Sequence, residues 1–156
     1  MDILPASLLD LGQLQQLERA CFNHDRWPLL DLMAVLTFPE VVRLKALVDG
    51  RMVGFVAGDR RDSQGFSWIA TIAVLPEFQR RGIGQALLAA CESRLVTPRV
   101  RLCVRAENGG AIRLYEQEAY QRVDVWRGYY KDGADALVME KVRGAQDREG
   151  MLSRNW

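Results

Sequence analysis

At 156 residues, with 49% apolar and 26% charged side chains, the chain suffices for one domain with a real core and excludes a disordered or fibrous class. A formal net charge of +1, from 21 basic and 20 acidic residues, carries no polyelectrolyte signal for nucleic acid or a membrane surface. The start has Asp2 and a broken apolar pattern in place of a basic leader with an apolar core, and no apolar run reaches the ~20 residues of a membrane span, so a cytoplasmic location is expected.

In chain order, Ile3 and Leu4 predict a short strand ended by Pro5. Asp10, with Gln13 three residues on, reads as a capping box that opens a helix. In that helix Leu11, Leu14, Leu17 and Cys21 share one face, and Gln15, Gln16, Glu18 and Arg19 take the other. A linker over residues 22–27 follows, and Pro28 suits the first turn of a second helix running through Leu36. Apolar runs at 44–48 and 52–57 around Asp49-Gly50-Arg51 predict a hairpin, and 67–74 a further strand, giving an antiparallel meander. Ile83, Leu87, Cys91 and Leu95 recur every four residues, so a helix packs that face on the sheet and leaves Gln85, Glu92 and Arg94 outside. A strand at 100–104, a short helix at 111–117 and strands at 121–130 and 134–141 across Asp132-Gly133 complete a mixed α/β fold. The domain covers 1–142, and 143–156 reads as a loose C-terminal tail, polar and aperiodic apart from Met151, Leu152 and Trp156.

Between the strand at 67–74 and the helix that follows stands Gln79-Arg80-Arg81-Gly82-Ile83-Gly84. Two glycines let the backbone turn sharply and approach a ligand, while the helix start aims unpaired N–H groups and a positive dipole end at the same spot. That is a device for holding a pyrophosphate. The spacing is not G-x-G-x-x-G and there is no Gly-Lys-Ser/Thr, so the dinucleotide and Walker loops lack their residues. Cys21, Cys91 and Cys103 are odd in number and widely spaced, with His24 as the sole histidine, which speaks against a disulfide framework and a zinc site; no metal is expected.

With Thr71-Ile72-Ala73-Val74-Leu75-Pro76 before the glycine loop and Asn108-Gly109-Gly110-Ala111-Ile112-Arg113-Leu114-Tyr115-Glu116 after it, most of the chain resembles the GNAT acetyltransferases. The segment from Tyr129 to Met139 is similar to the ribosomal-protein-alanine and Ard-type N-terminal acetyltransferases within that superfamily. The resemblance implies a mostly antiparallel sheet with a splayed central strand pair and acetyl-CoA as co-substrate. It places Ile72, Ala73 and Val74 along the pantetheine arm, and Gln79, Arg80, Arg81, Gly82, Ile83, Gly84 and Gln85 around the pyrophosphate. Asn108 would lie near the far side of the arm, Tyr115 would donate a proton to the departing CoA thiolate, and Tyr129 and Tyr130 would narrow the acceptor groove.

The sequence departs from these relatives at three places. Cys103 stands where the ribosomal-protein-alanine family has a glutamate that helps take the amine proton, Ala134 where glutamate is frequent, and Trp27-Pro28 where Pro-Trp is the commoner order. A thiol in an apolar strand packs as a small hydrophobe, so deprotonation through water is expected, with Glu107 and His24 as further candidates for the base. A weak base suits an α-amine of pKa ~7.8 better than a lysine amine of pKa ~10.4. The expected reaction is therefore direct acetyl transfer to the α-amine of a protein or peptide N-terminus. Transfer to a small-molecule amine or polyamine, and a catalytically silent acyl-CoA-binding sensor, are the alternatives. The expected partners include neither nucleic acid nor membrane, and the expected assembly is a monomer or homodimer.

Overall fold

The computed structural model describes residues 1–22 and 29–144. His24, Trp27 and Pro28, and the tail from 145 onward, lie outside the described residues. A short edge strand β1 (Asp2–Pro5) leads into helices α1 (Leu11–Cys21) and α2 (Leu29–Thr37), and then into the hairpin of β2 (Val41–Val48) and β3 (Arg51–Arg61). Asp49 and Gly50 turn that hairpin with φ of 51° and 77°, the paired positive values that match the twist of the strands on either side. The chain continues through β4 (Phe66–Val74), α3 (Ile83–Glu92), β5 (Arg99–Arg105), α4 (Gly109–Gln117), β6 (Gln121–Trp126) and β7 (Ala136–Val142).

The strands form one sheet in the order β1-β2-β3-β4-β5-β7-β6. Only β4 and β5 run parallel; every other neighbouring pair is antiparallel, in keeping with the fold expected from the sequence. The core is built by Leu14, Leu17, Phe55, Val56, Leu87, Leu88, Leu102 and Met139, all nearly inaccessible to water. Two glycines of β3 let α3 lie close on the sheet: a Cβ on Gly54 would come within 2.8 Å of Leu87 Cδ1, and one on Gly58 within 2.9 Å of Cys91 Sγ. Among the described residues no helix is long and apolar enough to cross a membrane.

The feature that shapes the rest of the molecule is a split in the middle of the sheet. Ladder pairing of β4 with β5 runs from Phe66–Arg99 to Ile69–Leu102 and stops there. On the other edge of β4, Ala57 faces Thr71 while Gly58 faces Ile69, which leaves Ala70 as the extra residue of a bulge. A bulge bends its strand. Past it, β4 stays paired with β3 as far as Val74, while β5 stays paired with β7 through Arg105, so the two central strands diverge.

Several local expectations are corrected. The capping box lies one turn before the predicted one: the Ser7 N–H donates to Asp10 Oδ2 at 2.8 Å, and Ser7 Oγ accepts from the Leu9 N–H at 3.3 Å, around a single 3-10 turn at Leu8–Asp10. Gln13 instead accepts from the Met52 N–H at 3.0 Å and ties α1 to the sheet. Glu18 and Glu92, expected on outer faces, are only 3% and 4% exposed. Glu92 accepts from Lys141 Nζ at 3.0 Å and Tyr120 Oη at 3.2 Å, and it is this pairing that makes a buried carboxylate tolerable. The predicted strand at 121–130 ends at Trp126, which leaves Tyr129 and Tyr130 in the turn before β7.

Arg143, taken by the sequence pattern as the first residue of a loose tail, is buried. Its guanidinium donates to the carbonyls of Glu92 at 2.7 Å, Leu95 at 2.6 Å and Thr97 at 2.6 Å, closing the C-terminal end of α3. Arg143→Ala would take this donor from the Leu95 and Thr97 carbonyls, while the Glu92 carbonyl keeps the Leu95 N–H at 3.1 Å, so we expect a loss of roughly 2 kcal/mol and a fall in Tm of about 6 °C in a thermal melt. A change within about 2 °C would mean that water replaces the guanidinium.

Candidate active site

The chain enters α3 through a turn with two left-handed residues, Arg80 at φ 62° and Gly82 at φ 80°. Gly82 occupies the N-cap position and α3 has no side-chain cap there. The first intrahelical hydrogen bond is Ala86 N–H to the Gly82 carbonyl at 3.0 Å, so the amides of Ile83, Gly84 and Gln85 have no carbonyl within the helix. They supply the donors and the dipole end that an anion requires. Gln79 braces the turn by donating its side-chain amide to the Val74 carbonyl at 3.0 Å.

A cavity of about 830 Å³ opens beside this turn and runs along the diverging end of β4. Ile72, Ala73, Val74, Gln79, Arg80, Gly82, Gly84, Gln85 and Asn108 all line it, together with Arg113 of α4. Arg81 and Ile83 do not: Arg81 stacks over the Phe78 ring at 5.1 Å, and the Ile83 side chain is buried in the core. Asn108 caps α4 by accepting from the Ala111 N–H at 3.2 Å. That cap fixes the helix on which Tyr115 is carried two turns later.

A second cavity, of about 520 Å³, opens on the other side of the split between β4 and β5. Its walls include Thr71, Cys103, Arg105, Glu107, Tyr130 and Asp132. The two cavities share Cys21, Phe22, Ile72, Asn108, Ala111 and Tyr115, so they meet at the mouth of the split. Tyr115 is 6% exposed and packs edge-on against Tyr120 at 5.9 Å. Burial pushes its hydroxyl well above the usual phenol pKa, and Tyr130 nearby adds to the rise, so Tyr115 is a neutral O–H donor at neutral pH.

Burial likewise raises the half-buried Cys103 thiol to about 11. Cys21 is pushed up to about 11, by burial first and then by Glu18 and Glu77, and its thiol donates to the Val74 carbonyl at 3.3 Å. Neither is a thiolate at neutral pH. Arg105 is clamped between Asp132 at 3.0 Å and Glu107 at 3.1 Å, and its guanidinium lies over the Tyr130 ring at 4.4 Å. The hydrogen bond from Arg105, then the one from the Ala134 N–H, hold the Asp132 carboxyl below its ordinary pKa. Tyr129 does not line the cavity; it meets Tyr130 edge-on, with ring centroids 5.1 Å apart. Arg105, Asp132, Cys21 and Phe22 are site residues that the sequence reading did not assign, and only Arg105 carried a signal, standing three residues before Asn108. Among the described residues no group of three or more His, Cys, Asp or Glu side chains could hold a metal ion.

A split sheet, an uncapped helix start at its mouth and a buried tyrosine between two cavities together define an acyl-transfer scaffold. Residues 11–119 match the model of the acetyltransferase (GNAT) family, and the chain belongs to that family. It is an acetyl-CoA-dependent N-acetyltransferase. The N-alpha-acetyltransferase of Sulfurisphaera tokodaii is 33% identical over 150 residues, covering 86% of this chain and 88% of the relative. The ribosomal-protein-S18-alanine N-acetyltransferase of Escherichia coli superposes with a TM-score of 0.83 at 26% identity, covering 92% of this chain and 95% of that one. Arabidopsis thaliana NAA60, solved in complex with acetyl-CoA, shares the fold with a TM-score of 0.78 at 24% identity, over 90% of this chain and 97% of that one.

Proposed function

We propose that this enzyme transfers the acetyl group of acetyl-CoA directly to the α-amine of a protein or peptide N-terminus, with Tyr115 as general acid. The observation that carries the reading is the position of Tyr115, buried where the two cavities meet. The larger cavity takes the donor: its pyrophosphate lies against the free amides of α3 beside Arg80, and the pantetheine arm runs along Ile72, Ala73 and Val74. The smaller cavity takes the amine. The amine nitrogen attacks the thioester carbonyl, the C–S bond breaks, and the sulfur leaving group receives the Tyr115 proton. Relatives named as N-alpha-acetyltransferases and as a ribosomal-protein-alanine acetyltransferase support an N-terminal acceptor.

Among the described residues Glu107, at the rim of the acceptor cavity, or a water beside it takes the amine proton in place of the glutamate absent at Cys103. A remote, exposed base is adequate for an α-amine, about a quarter of which is neutral near pH 7.4, against about a thousandth of a lysine amine, a difference of ~3 kcal/mol. The charges of the cavity also bear on the choice between a chain end and a polyamine. Among the described residues that line it, Glu107 and Asp132 face the guanidinium of Arg105, a balance of one negative charge, enough for one ammonium group and not for several.

Peptides with a free small N-terminal residue should be acetylated at least ~10-fold faster than the same peptides blocked at the N-terminus and offering only lysine, measured as kcat/KM. Tyr130→Ala should raise KM for the peptide more than for acetyl-CoA. Faster reaction of blocked lysine peptides or of spermidine than of every free N-terminus tested would replace this reading with a small-amine acetyltransferase.

A further inference from the structure

Five aromatic rings form a continuous line leading out of the acceptor cavity. Tyr130, in the cavity wall, meets Tyr129 at 5.1 Å; Tyr129 meets Trp126 at 5.4 Å, Trp126 meets Trp68 at 5.8 Å, and Trp68 meets Phe66 at 6.2 Å. The rings come from the turn before β7, the end of β6 and the start of β4, so the line crosses the sheet over the intervening β5 and β7. Arg101 of β5 closes its far end, stacked over Phe66 at 4.8 Å and held by Glu140 at 2.6 Å. Tyr129 and Trp126 are 54% and 36% exposed, a large aromatic surface to leave in water.

We infer that this aromatic line is the docking track for the acceptor polypeptide downstream of its acetylated residue, and that Trp126 and Trp68 are determinants of peptide affinity. The inference rests on the N-terminal reading above. Its occupant follows from continuity: Tyr130 belongs both to the cavity that takes the amine and to the line, so whatever is attached to the amine leaves the cavity over the next rings. Four ring-to-ring steps span roughly 20 Å, the reach of about six extended residues. Rigid aromatic rings, set edge-on or tilted to one another as these are, bind an extended chain with little loss of their own freedom and little dependence on which side chains it carries. A small amine ends inside the cavity and has nothing to lay on the track.

The test uses two free-N-terminus peptides that share their first residues, one of about two residues and one of about ten, with the intact enzyme. In the wild type the longer peptide should have a kcat/KM at least ~10-fold higher, nearly all of it from KM. Trp126→Ala and Trp68→Ala should reduce that advantage to within ~2-fold, with KM for acetyl-CoA and kinetics on the short peptide unchanged; Trp126→Phe should restore most of it. The ratio of long to short peptide is measured within each variant, so a merely structural role, which lowers Tm, does not move it. Equal kcat/KM for the two lengths in the wild type, or variants that keep the length advantage, overturn the track. A wild-type dimer that Trp126→Ala dissociates, with no length dependence, also overturns it and makes the line an interface between copies. If both peptides react but length has no effect, the N-terminal reading stands without the track; if neither reacts while spermidine does, both fail.

Discussion

Tyr115→Phe is expected to lower kcat by roughly 10²-fold or more while leaving KM for acetyl-CoA nearly unchanged, in steady-state assays with a free-N-terminus peptide. The substitution removes one oxygen from a ring that otherwise keeps its packing against Tyr120. In bulk water the proton match would be poor, because a phenol whose pKa has been raised is a weak acid toward an ordinary thiolate. The cavity changes the comparison. Burial is the first cause that lifts the thiols of Cys21 and Cys103, which line the same walls, and the same desolvation makes a sulfur leaving group placed there a stronger base than in water. In the proposed mechanism, donation from Tyr115 as the C–S bond stretches removes a thiolate that the cavity could not solvate. Cys103→Ala, by contrast, should keep activity within ~3-fold, since a neutral half-buried thiol contributes packing only. A kcat for Tyr115→Phe within a few-fold of wild type would remove the acid role, and an acetylated Cys103 recovered by mass spectrometry would replace direct transfer with an acyl-enzyme.

The second large effect is on donor binding. Saturating CoA at about 100 times its Kd should stabilise the wild type by ~2.7 kcal/mol, or ~5–10 °C in a thermal shift assay, and Gly84→Asp should abolish that shift. The free protein should be unharmed. A Cβ at Gly84 meets nothing closer than Leu114 Cδ2 at 3.6 Å and Val74 Cγ2 at 3.8 Å, and a carboxylate in the first turn of a helix is electrostatically favourable. The same carboxylate takes the place of the pyrophosphate and repels it. Gly82→Asp should also abolish the shift, at the added cost of a left-handed residue at φ 80°. Melting of the wild type unchanged by millimolar CoA would remove acetyl-CoA as the donor.

What could be read from the chain itself were patterns closed within a few residues. Asp49-Gly50 is a hairpin turn because only small or amide-like residues tolerate two positive φ values in succession. Ile83, Leu87 and Cys91 announce a buried helix face by spacing alone, although the helix ends at Glu92 and Leu95, read as its next turn, is buried beyond it. What stayed hidden depends on partners remote in sequence. Glu92 reads as an outward residue until Lys141 arrives 49 positions later, and Gln13 as part of a cap until β3 presents the Met52 amide. The acceptor cavity is hidden in the same way, because Arg105 becomes a wall only when the turn carrying Tyr130 and Asp132 folds over it. Ala70 has no local signature at all, since a bulge is a property of two strands in register and not of one residue.

The wedge between β4 and β5 has a protective side. A strand edge with free amides and carbonyls ordinarily invites a foreign strand and, through it, aggregation. Here the two diverging edges confront each other across a gap closed at its inner end by the Ile69–Leu102 pair, and the Val74 carbonyl already accepts from Cys21 and Gln79, so no second sheet can be laid along either of them. What can enter from the open end is one slender linear molecule carrying its own amide groups. On the proposed reading the walls would meet such a guest with main chain, and main chain is indifferent to ordinary side-chain replacement. Residues such as Ile72 and Val74 could therefore drift among strand-forming types without closing the passage, whereas a proline on this stretch of β4 would delete a donor that no side chain can restore.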